Sequence, residues 1–76
     1  MATTSAQDVY VELLFDKVRD DQYPSGELLD RIERALANRE QAAQYLEILV
    51  DKVDTTHYPS HQLLDRIERL ARRMPS

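Results

Sequence analysis

Two histidines, His57 and His61, stand four residues apart, the spacing that brings a pair of metal ligands to one face of a helix. Pro59 and Ser60 lie between them, and proline interrupts the helix which that spacing requires. Even with Asp54 and Asp65 nearby, the pair reads as part of a turn and a helix cap, and no metal site is expected. Other chemistry has as little to build on. The chain has no cysteine to act as nucleophile, and no serine is spaced with a histidine and an acid as partners. Gly26 is the sole glycine, so no glycine-rich phosphate loop can form. Paired carboxylates such as Asp20 and Asp21 fall in a solvated turn, a setting that does not make a general acid. The sequence therefore reads as non-enzymatic, with no catalytic residue and no cofactor.

A second chemistry is offered by arginine. A turn bearing Thr55, Thr56 and His57 precedes a helix that carries Gln62, Arg66, Arg69 and Arg72. A helix-turn-helix reader presents its second helix with polar and arginine side chains in the same way. Against this, Asp65 and Glu68 sit among the arginines, and the Tyr58-Pro59-Ser60 connection is not the short glycine-containing turn usual in that motif. The formal net charge of -4 also opposes attraction to phosphate backbones or anionic lipid. A DNA-binding regulator stays as the alternative reading, and nucleic acid is not the expected partner.

The elements that must position any site are announced by a repeat. Shifting the sequence by 35 residues superposes Tyr10 to Arg34 on Tyr45 to Arg69 without a gap, and more than half of the positions are identical. Tyr23-Pro24-Ser25 returns as Tyr58-Pro59-Ser60, and the string from Leu28 to Arg34 returns unchanged from Leu63 to Arg69. Each unit reads as two helices. Ser5 with Asp8 three residues on makes a helix start, and Tyr10, Val11, Leu14, Phe15 and Val18 keep a 3.6-residue period, so the first helix is expected over about 6–20. Pro24 stops it and Ser25 caps the next, expected over about 26–37 with Leu28, Leu29, Ile32, Ala35 and Leu36 on its stripe. Asn38 with Gln41 forms a capping pair for a third helix ending near Asp54. With no glycine or proline between Glu27 and Val53, a single kinked rod in place of the second and third helices is the competing arrangement. Ser60 opens a fourth helix in which Leu63, Leu64, Ile67, Leu70 and Ala71 repeat the stripe until Pro75.

The expected fold is all-α: four short helices from a tandem duplicated helical hairpin of period 35, bundle-like and self-associating. One domain spans residues 1–76, with repeats over about 5–37 and 39–73 and a flexible segment at 1–4. At 76 residues only about 60 to 65% of the unfolded surface can be buried, and without disulfides the packing must suffice, in part between chains. The period approaches the 34 of tetratricopeptide repeats. Bulky residues inside the odd helices, and a proline between the helices of a unit instead of after them, depart from that pattern, and no residue roles follow from it.

The odd helices carry the informative excess. On the first, the apolar arc runs from Leu13 through Tyr10 and Leu14 to Phe15, roughly 200° of the circumference, and Ile48, Tyr45, Leu49 and Val50 repeat it on the third. An arc that wide implies a second covering surface, either a four-helix core that uses all of it or another protein. Tyr10, Leu13, Tyr45 and Ile48 are the expected protein interface, and aspartate at Leu13 and Ile48 is expected to abolish association while leaving helicity intact. Tyr23 and Tyr58 read as rings closing the core end at each turn. No apolar run approaches the roughly 20 residues of a membrane span, and the start at Met1 lacks a secretory signal, so a cytoplasmic location is expected. Lys17 and Lys52 are the sole lysines beside eight arginines, a usage that suggests a GC-rich bacterial genome. The function expected is that of a small bacterial or phage adaptor or regulatory protein, binding an unidentified protein and forming a homodimer or higher homo-oligomer.

Overall fold

The computed structural model describes residues 5–21, 24–55 and 61–74. Four helices follow in order: α1 (Ala6–Asp20), α2 (Gly26–Ala35), α3 (Arg39–Asp54) and α4 (His61–Arg73). Among the described residues there is no strand, and no helix is long and apolar enough to cross a membrane. The chain divides into two compact units, Met1–Leu36 and Ala37–Ser76, the first pairing α1 with α2 and the second α3 with α4.

Capping sets the starts of the first three helices. The Ser5 hydroxyl accepts from the Asp8 N–H at 3.1 Å, and Ser25 accepts from Leu28 at the same distance. Each serine satisfies one of the amides that a helix start leaves without a carbonyl. Asn38 does the same for α3, accepting from the Gln41 N–H at 2.8 Å, while the Gln41 side chain accepts from the Ala37 N–H at 2.8 Å. This reciprocal pair also fixes the break between α2 and α3, and the single kinked rod does not form. It ends α2 at Ala35, two residues before the expected end. Leu36 is already extended, at φ -62° and ψ 122°, although its N–H still donates to the Ile32 carbonyl at 3.1 Å.

In the first unit the core is a stripe on each helix. Val11, Leu14, Phe15 and Val18 are the buried face of α1, spaced i, i+3, i+4, i+7, and Leu29, Ile32 and Ala35 are that of α2. The Gln7 amide donates to the Ala35 carbonyl at 2.6 Å, so the beginning of α1 meets the end of α2 and the two run antiparallel. Arg19 lies over the Phe15 ring, 5.9 Å from its centroid, and pairs with Asp16 at 3.4 Å.

The second unit buries Tyr45, Ile48 and Leu49 of α3, and Leu63, Arg66 and Leu70 of α4. Leu64 was expected on the α4 stripe but is exposed, and Ile67 is half-buried. The buried face instead follows Leu63, Arg66 and Leu70, an i, i+3, i+7 set that includes an arginine, because the three methylenes of the arginine side chain are apolar and able to lie against a core.

Candidate interaction surface

The four residues expected at a protein interface divide into two pairs. Tyr10 and Leu13 on α1 are 39% and 51% exposed. Tyr45 and Ile48, at the corresponding places in the second unit, are 0% and 7% exposed and belong to the core. One equivalent face on the two odd helices is therefore not what the structure presents. An apolar arc of some 200° exceeds what a single helix–helix contact buries, and the two helices bury different parts of it. On α1 the buried part is centred on Val11 and Phe15; on α3 it is centred on Tyr45 and Leu49, and Val50, the counterpart of Phe15, is exposed.

The face α1 leaves outside is itself regular. Ala6, Val9, Tyr10 and Leu13 are all exposed and stand at i, i+3, i+4 and i+7. They form a second apolar stripe, turned roughly 140° around the helix from the buried one at 100° per residue. Val9, at 58% exposed, is the member that sequence reasoning missed. Its signal was available in the spacing to Ala6 and Leu13, which the stronger period of the core stripe overshadowed. Toward α2 the stripe borders a surface groove of about 320 Å³ lined by Gln7, Tyr10, Arg31, Arg34 and Ala35. Arg31 pairs there with Glu27 at 3.6 Å, an exposed i, i+4 contact worth little stability. The stripe has Glu12 on its other side and Lys17 beyond its end, both exposed.

The arginine-bearing row on α4 does not form one accessible surface. Gln62, Arg69 and Arg72 are exposed, while Arg66 is buried, and Arg72 is engaged by Glu68 at 2.8 Å. Arg66 is thereby removed from the reach of a phosphate, and the row retains its acidic interruption by Glu68. His61 is exposed at the start of α4. His57, Tyr23, Tyr58, Thr56, Ser60 and Pro75, to which turn, cap and stop roles were given above, lie outside the described residues, as does the segment 1–4. Among the described residues no three histidine or carboxylate side chains are placed to hold a metal ion.

No protein-family model matches the chain. Comparison with curated proteins and with solved structures likewise gave no match.

Proposed function

We infer that the chain is a small non-enzymatic protein-binding module, an adaptor or regulatory protein of a bacterium or phage, that works through the outer face of α1. The observation that carries this reading is the exposure of Val9, Tyr10 and Leu13 together on one face of a capped helix. Scattered exposed apolar residues need no explanation, but an ordered stripe of them at helical spacing is the form that helix-to-helix recognition takes. The duplicated hairpin supplies the frame, self-association as a homodimer or higher oligomer is one use of the face, and a cytoplasmic setting suits a cysteine-free chain.

The test is Leu13→Asp. Light scattering after size exclusion, across a range of protein concentrations, together with cross-linking from a photoreactive group at position 9 in a bacterial lysate, should show association in the parent chain and none in the variant. Circular dichroism should show unchanged helicity. A variant that associates as the parent does would place the contact surface elsewhere, and one that loses its helices would show Leu13 to be a core residue.

A further inference from the structure

We propose that a second copy of this chain occupies the outer stripe of α1, and that the two α1 helices pair in parallel about a twofold axis. The inference rests on the reading of that stripe as a contact surface and names its occupant. Written as a heptad, Ala6 and Leu13 take position a and Val9 takes d, so the three exposed apolar residues form one seam. Tyr10 and Lys17 then take e, and Glu12 takes g.

These flanking positions decide both partner and orientation. In a parallel pair a g residue of one helix lies beside the e residue five positions on in its partner, which sets Glu12 against Lys17 twice across the axis. In an antiparallel pair, g faces g and e faces e, bringing glutamate to glutamate and lysine to lysine. Glu12 and Lys17 are on the surface of α1, and among the described residues neither takes part in a salt bridge within the chain. A second copy thus supplies the complement to each charge, in one of the two orientations only.

The seam is short. It rises about 11 Å from Ala6 to Leu13, and the next d position is Asp16, which is exposed and pairs with Arg19. Such a contact falls below the roughly 800 Å² per partner of a standard interface. The dimer is therefore weak and concentration-dependent.

The absence of cysteine from the sequence makes the geometry directly readable. In a parallel pair the two a residues meet across the axis, so Leu13→Cys should give a disulfide-linked dimer on mild oxidation. Ala6→Cys should do so as well. An antiparallel pair instead sets an a position against a d position, Leu13 against Val9, so cross-linking only in a mixture of Leu13→Cys and Val9→Cys would overturn the proposal. Sedimentation equilibrium adds the charge test. Glu12→Lys and Lys17→Glu should each weaken dimerisation roughly threefold to tenfold, and the double variant Glu12→Lys/Lys17→Glu should return to the parent's constant. If the parent associates, Leu13→Asp abolishes it, but the charge reversals fail to compensate one another, the contact surface stands and the parallel pairing falls. A parent chain that stays monomeric at the highest concentration loaded overturns the dimer and leaves the surface to a different protein. Association unchanged by Leu13→Asp overturns the reading on which both depend.

Discussion

Arg31 and Arg66 occupy the same place in an identical string of seven residues, yet one is exposed beside Glu27 and the other is buried in the second unit. Their replacement by alanine should therefore differ. Arg31→Ala removes an exposed i, i+4 pair and should change the unfolding free energy by about 0.5 kcal/mol or less. Arg66→Ala takes away buried methylenes and the interactions that the side chain makes, and about 1 to 3 kcal/mol of destabilisation is expected. Urea titration of both variants gives the comparison, and equal costs would mean that Arg66 is solvated. The same logic separates Leu13 from Ile48. Aspartate at Leu13 meets water, whereas at Ile48 it would place a charge in the core and should cost most of a total stability of about 4 to 11 kcal/mol for a chain of this length. The expectation that both substitutions spare helicity is retained for Leu13 alone.

At the scale of elements, the starts of helices are set by local hydrogen bonds that sequence displays openly. Ser5, Ser25 and Asn38 each accept from the amide three residues on. Ser25→Ala should lower stability by about 1 kcal/mol, read as a fall in the urea midpoint at unchanged slope, and Ser25→Gly by only a few tenths. Asn38 has a further consequence, because its pairing with Gln41 interrupts what would otherwise run on as one helix. Replacing both by alanine should extend helix across Leu36 and Ala37, and higher mean residue ellipticity at 222 nm with lower stability is the expected signature. An unchanged spectrum would mean that packing alone imposes the break.

For the whole molecule, charge and burial together bear on partners. A net charge of -4 and the loss of Arg66 from the α4 surface leave little to hold duplex DNA. No retardation of a mixed-sequence duplex is expected in a gel-shift assay at low salt, and a shift abolished by Arg69→Glu would revive the DNA-binding alternative. The pairing proposed for the outer stripe of α1, by contrast, predicts association that rises with chain concentration.

What the sequence determined by itself is local. Caps and apolar periods specify the first three helices and the apolar period the fourth, with α1 and α3 ending where expected and α2 two residues short. These features are legible because each depends on residues three or four apart. Which face of each helix goes inside was decided only by tertiary packing. An apolar arc of roughly 200° offers more surface than one neighbour can cover, so the period that predicts a helix does not choose between burying Phe15 or Tyr10, Val50 or Tyr45. The structure buries Phe15 and Tyr45 and exposes Tyr10 and Val50. It thereby places two of the four expected interface residues in the core and brings out Val9 in their stead, because which neighbours cover a helix depends on contacts far apart in the chain, and a repeated sequence is under no obligation to make them alike.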